Sequence, residues 1–192
     1  MTSPVRMSTA DTALLVIDVQ EKLIGKIHGA ASLVRNLDFL LDAAKLLGIA
    51  VLATEQYPKG LGGTVASIAP KLPVCWEKTA FSCCAVPEVT QTLHRDARLK
   101  VLLAGIETHV CVQQTALDLL ARDFYVFLAV DTLGSRALGD HDAAVRRMEQ
   151  AGAIVTTCES AVFEWMGGSK APHFKEISQL VQQRSKAMAG SG

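Results

Sequence analysis

Three side chains in this sequence have the types needed to open a carbonyl compound. They are the carboxylate of Asp18, which closes the apolar run ALLVIDV, the amine of Lys78 in WEKTAF, and the thiol of Cys111 in GIETHVCV. Cys111 lies just past the apolar residues 101–104, where an amphipathic stretch begins. Three readings compete for it: a nucleophile, a metal or redox thiol, and an ordinary small core residue. At the start of a helix, unpaired N–H groups and about half a positive charge favour a thiolate and can hold an oxyanion. A cysteine packed against a sheet needs none of that. Asp18 is equally two-sided, because Asp commonly ends a strand or caps a turn. A carboxylate at the end of a fully buried strand is nevertheless costly unless it is paired. Lys78 taken alone reads as a solvated surface charge.

The elements that must position these residues are legible as an alternation. ALLVIDV (13–19), IAVLAT (49–54), KVLLAGI (100–106), YVFLAVD (125–131) and AIVTTC (153–158) are continuous apolar runs of the kind buried on both faces of a sheet, and PVCWEKTAFS contains a sixth strand running into a loop. Between them, apolar residues recur at helical spacing over 33–47, with Gly48 as the stop, and further helices are expected over 109–122, 141–151, 160–166 and 173–186. A short helix is expected within 64–72, and another beginning at Pro87. The fold class that follows is α/β: a three-layer α/β/α sandwich around a six-stranded, mostly parallel, doubly wound sheet. In the usual strand order 3-2-1-4-5-6, strands one and four meet at the crevice beyond their carboxyl ends, which brings Asp18 and Cys111 together.

Composition limits the function classes. The chain has 192 residues, enough for one domain; residues 1–11 read as a short flexible segment, 12–186 as the domain, and 187–192 as a frayed tail. Nineteen basic residues balance nineteen acidic ones, which makes nucleic acid an unlikely partner and gives no footprint for an anionic membrane. Five scattered cysteines without a CxxC point to a reducing compartment, and the lone pair His109 and Cys111 is too thin for a zinc site. No metal and no cofactor are expected. Cytoplasmic localisation follows, with a mitochondrial alternative because the first ten residues are hydroxyl-bearing, acid-free and carry Arg6.

LLVIDVQ, EKTAFS and LAGIETHVCVQQTALDLLARDFYV together resemble three signature segments of the cysteine hydrolases of the isochorismatase-like superfamily. ATEQYPKGLG and PHFKEISQL resemble stretches of its isochorismatase domain-containing protein 2 subgroup, so the likeness runs from about Thr12 to Leu180. The resemblance implies a catalytic triad of Asp18, Lys78 and Cys111. It also implies a cis peptide at Ile106–Glu107, an oxyanion hole made by the N–H groups of Glu107 and Cys111, and assembly into a homo-oligomer. On this reading Asp18 is the general base, Lys78 holds the carboxylate and favours the thiolate, and Cys111 attacks a small amide or related carbonyl substrate. Gln20, Tyr57, Trp76 and Phe81 flank the motif segments and are the expected substrate-binding residues. Lys78 and the helix start should together lower the thiol pKa, against the opposing effect of Asp18.

Two departures narrow the chemistry. Nicotinamidase-type relatives carry an Asp and two His metal ligands near the second strand, whereas the matching loop here, TEQYPKGLGG, has no histidine. Relatives that cleave the vinyl ether of isochorismate tend to lack the cysteine. The alternatives are a ribonuclease or RNA-associated protein on the same fold, a catalytically silent scaffold, and a thiol protein using Cys83 and Cys84. GLGG does not follow the G-x-G-x-x-G spacing of a dinucleotide site.

Overall fold

The computed structural model describes residues 5–189. The chain runs β1 (Thr12–Ile17), α1 (Glu21–Ile24), α2 (Ala30–Leu47), β2 (Ala50–Gln56), α3 (Pro58–Leu61), β3 (Cys75–Lys78) and α4 (Pro87–Arg95). It continues through β4 (Lys100–Ile106), α5 (Gln113–Leu120), β5 (Tyr125–Gly134), α6 (Leu138–Gln150), β6 (Ile154–Thr156), α7 (Cys158–Met166) and α8 (Phe174–Ala189). The six strands form one sheet in the order β3-β2-β1-β4-β5-β6, and every pairing is parallel.

Side-chain alternation along β1 separates the two apolar layers. Leu14 and Val16 face α2, α7 and α8, while Ala13, Leu15 and Ile17 face α4, α5 and α6. Both layers continue through β4 and β5, so the central strands are buried on both sides and carry almost no polar residues. Helix α2 turns Leu33, Leu37, Leu40, Leu41 and Ala44 inward and ends at Gly48, whose left-handed backbone (φ 67°) lets its N–H close on the carbonyls of Ala44 and Lys45.

Several boundaries differ from the sequence reading. The segment 64–72 holds a single 3-10 turn, Ala69–Lys71, because Pro70 and Pro73 close this short stretch between β2 and β3. Helix α6 begins earlier than expected, and α8 continues to Ala189. Residues 5–11, expected to be flexible, are tied down: Met7 is buried and its N–H donates to Glu164 Oε2 at 2.9 Å, while the Ser8 N–H donates to Asp11 Oδ1. The remainder of the expected flexible ends, residues 1–4 and 190–192, lies outside the described residues. Among the described residues, no helix is long and apolar enough to cross a membrane.

Candidate active site

The register of the three neighbouring strands builds the site. Ile17 pairs with Thr54 on one side and Gly105 on the other, so Asp18 emerges between the ends of β2 and β4. Gly105 permits the close approach of β4: at φ 123°, any Cβ there would collide with the Ile17 carbonyl. Asp18 takes a left-handed backbone (φ 53°), and its N–H donates to the Thr54 carbonyl at 3.1 Å. One strand further out, Gln56 pairs with Lys78.

Asp18 and Lys78 form an ion pair shielded from solvent, with Lys78 Nζ donating to Asp18 Oδ2 at 2.6 Å and side-chain exposures of 1% and 0%. Asp18 Oδ1 accepts from Thr54 Oγ1 at 2.9 Å. The ammonium also donates to Gln56 Oε1 at 2.7 Å and to the Phe81 carbonyl at 3.0 Å, which uses all three of its hydrogens. Burial works against the charge on Lys78, but Asp18 and the neighbouring thiols outweigh it, and the ammonium is held above the usual lysine range.

Cys111 sits within a wide π-helical turn, Thr108–Val112, that leads from β4 into α5, rather than at the first position of a helix. It is 7% exposed, and its carbonyl accepts from Thr115 Oγ1 at 2.7 Å. The thiol lies close enough to Asp18 to feel its charge. Burial first, and the Asp18 carboxylate second, push this thiol well above the ordinary cysteine range; Lys78 opposes both and does not overcome them. The expectation of a lowered thiol pKa is therefore corrected. A buried thiol beside a carboxylate resists ionisation, and one lysine already paired with that carboxylate cannot reverse it. The Ile106–Glu107 peptide is cis. Beside the turn, Glu107 Oε2 accepts from Arg136 Nε at 3.0 Å.

The four expected pocket residues separate. Gln20 is fully buried and serves the backbone: its Nε2 donates to the carbonyls of Gln56 and Gly62, and its Oε1 accepts from the Gln56 N–H at 2.7 Å. These bonds make Gln20 a brace between the segment after β1, the end of β2 and the loop that follows. Trp76 is half-buried against the apolar layer of α4–α6. Tyr57 and Phe81 remain exposed at 54% and 51%, and both border Lys78: the Tyr57 N–H donates to the Lys78 carbonyl, and the Phe81 carbonyl accepts from its ammonium. Thr54, Gln56 and Cys83 were not among the expected site residues. The only local signal for the first two was their place at the end of the second strand.

Among the described residues, no group of three His, Cys, Asp or Glu side chains is arranged to hold a metal ion. Near the end of β2, Glu55 Oε1 is engaged by the N–H and hydroxyl of Thr64, from the loop that follows, at 2.6 and 2.7 Å.

The Isochorismatase domain profile matches residues 12–160. The chain belongs to the isochorismatase family. This isochorismatase-family chain is 40% identical over 175 residues to "Isochorismatase domain-containing protein 1" of Salmo salar, covering 90% of the chain and 62% of that relative. It thus spans under two thirds of the length of these first relatives. It is 37% identical over 179 residues to "Isochorismatase domain-containing protein 2" of Homo sapiens, covering 93% of the chain and 86% of the relative. The solved structure described as "MAR1 Ribonuclease from Caenorhabditis elegans" superposes with a TM-score of 0.88 at 41% identity, covering 93% of each chain.

Proposed function

We propose that this isochorismatase-family hydrolase uses Cys111 as a nucleophile on a small amide or related carbonyl compound and proceeds through an acyl-enzyme. The observation that carries this reading is the convergence of Asp18, Lys78 and Cys111 in one buried cluster, with the thiol within the electrostatic reach of both charges. As Sγ attacks the carbonyl carbon, its proton passes to Asp18, and the amide oxygen takes the negative charge, facing the N–H groups of Glu107 and Cys111. Asp18 then hands the proton to the departing amine as the C–N bond breaks. A water molecule gives its proton to Asp18 and attacks the acyl carbon, and the thiol leaves with that proton.

Because the resting thiol is neutral, the thiolate is generated together with attack rather than beforehand. That suits a site whose sulfur must survive between turnovers. Lys78 holds and orients Asp18, and its charge offsets the negative charge that develops on sulfur. Tyr57 and Phe81, exposed beside the site, are the proposed substrate contacts, with Trp76 in a supporting wall. The same apolar rim, with Val74 77% exposed, supports a homo-oligomer that covers it. Five free cysteines support a cytoplasmic setting.

The test is a screen of small amides and esters read by intact mass. An acyl adduct on the wild type that is absent from Cys111→Ala is the expected result. A substrate cleaved equally well by Cys111→Ala would end this reading. A ribonuclease reading rests on the description of the Caenorhabditis elegans structure. RNA cleavage that survives both chelator and Cys111→Ala would establish it as separate chemistry.

A further inference from the structure

Cys83 is a second buried thiol in the same cluster. It opens a 3-10 turn, Cys83–Ala85, held by Ser82, whose Oγ caps the Cys84 N–H at 3.2 Å and donates to Asp118 Oδ2 at 2.6 Å. Its Sγ lies 3.4 Å from Thr54 Oγ1, the atom that stands 2.9 Å from Asp18 Oδ1. The direction of these two bonds is fixed by counting hydrogens. An ionised Asp18 only accepts, so the single hydroxyl hydrogen of Thr54 is committed to it, and the Cys83 contact must be thiol to hydroxyl. Burial first, and Asp18 second, push the Cys83 thiol up to about 12 against the pull of Lys78, so its hydrogen stays in place.

The main chain of Cys83 is tied to the nucleophile as well. Its N–H donates to Thr115 Oγ1 at 2.9 Å, and that hydroxyl donates to the Cys111 carbonyl at 2.7 Å. The titratable groups facing Asp18 are Lys78 from β3, Cys83 from its turn and Cys111 from the π-helical turn. Lys78 takes one carboxylate oxygen and Thr54 the other, so the plane of Asp18 is set by two donors from two strands.

We propose that Cys83 and Thr54 are positioning residues, a donor chain from Cys83 Sγ–H to Thr54 Oγ1–H to Asp18 Oδ1 that orients the base. This rests on the reading of Asp18 as the base that takes the Cys111 proton. A thiol donating into the Thr54 hydroxyl polarises it and strengthens its bond to the carboxylate. A carboxylate that loses such a donor holds its proton to higher pH.

The probe is iodoacetamide on the full chain, with alkylation of the Cys111 peptide followed by mass over roughly pH 3–9, a range that reaches below the ordinary carboxylate value. In the wild type the rate falls on the acid side, at an inflection that belongs to the cluster of Asp18, Lys78 and Cys111 together. Thr54→Val should move that inflection up by about one pH unit, and Thr54→Ser should restore it. Cys83→Ala should move it in the same direction by less, and Cys83→Ser should restore it. An unmoved inflection in Thr54→Val, or identical profiles for Cys83→Ala and Cys83→Ser, would overturn the donor chain and leave these residues as packing. The Cys83 pair decides the matter if Thr54→Val does not fold. Asp18→Asn should abolish the inflection. If the inflection persists there, the assignment of Asp18 as base fails, an outcome separate from failure of the donor chain.

Discussion

Two clusters, each of one aspartate, one basic side chain and one thiol, lie against opposite faces of the sheet. Asp18, Lys78 and Cys111 adjoin the α4–α6 layer, and Asp131, Arg184 and Cys158 adjoin the layer of α2, α7 and α8. In the second cluster Cys158 Sγ donates to Asp131 Oδ2 at 3.0 Å, the Cys158 N–H donates to Oδ1 at 2.7 Å, and Arg184 binds Asp131, Glu159 and Asn36. Both thiols are pushed upward, by burial first and a carboxylate next. Residue types and pKa direction therefore do not separate them. What does is access and use: Cys111 keeps 7% exposure beside an exposed rim, whereas Cys158 has none and, through Asp131, joins the polar contacts that hold α8 across α2 and α7. Under the proposed function one cluster meets a substrate, whereas the other fastens a helix.

The largest expected effect breaks or keeps that contrast directly. Cys111→Ala should lower turnover by roughly four orders of magnitude with the fold intact. Cys158→Ala should leave turnover unchanged and cost about 1–2 kcal/mol of stability in urea unfolding, because a packed sulfur and one donor to Asp131 are lost. Comparable loss of turnover in both variants would erase the distinction.

The two cations sharpen it. Lys78→Met strands a carboxylate with no exposure, which should cost about 3–5 kcal/mol and push the Cys111 thiol higher still, seen as slower alkylation. Arg184→Met leaves Asp131, 22% exposed, partly open to water. Its cost should be smaller, about 1–2 kcal/mol once solvent screening is allowed for. Equal urea midpoints for the two variants would show that depth of burial is not what divides the clusters.

A smaller effect is shared by both regions. Cys83 goes from its ordinary 9.0 to about 12 on folding, and Cys111 and Cys158 shift the same way. Since the folded chain holds these protons more tightly than the unfolded one, their stabilisation is fully present below about pH 9 and is lost as pH rises through the folded values. The loss is at most about 1.4 kcal/mol per pH unit for each thiol. The urea midpoint should therefore fall between about pH 8 and pH 10, and Cys83→Ser should flatten that fall. A midpoint that rises over this range would contradict the burial of the thiols. The smallest effect is expected from chelator: dialysis should leave the rate unchanged, and a loss reversed by zinc would mean that ligands converge in a way the loop after β2 does not suggest.

The alternation of apolar runs was enough to read the strands and helices, because continuous burial and helical spacing are local patterns; the meeting of Asp18 with Cys111 followed only on taking the usual strand order, which the sheet adopts. Helix ends were less legible at 64–72 and 138–140, where short turns are held by distant contacts. The family resemblance, rather than composition, singled out the carboxylate, amine and thiol, since Lys78 alone reads as a surface charge. Only the tertiary structure decided that Thr54 stands beside Asp18 and Gln56 beside Lys78, since parallel register is set by long-range pairing with no turn to encode it. It alone made Gln20 a brace and brought Cys83 to Asp18 through Thr54. It also reversed the expected ionisation of Cys111, because desolvation depends on everything packed around a group and is written nowhere in the residues beside it.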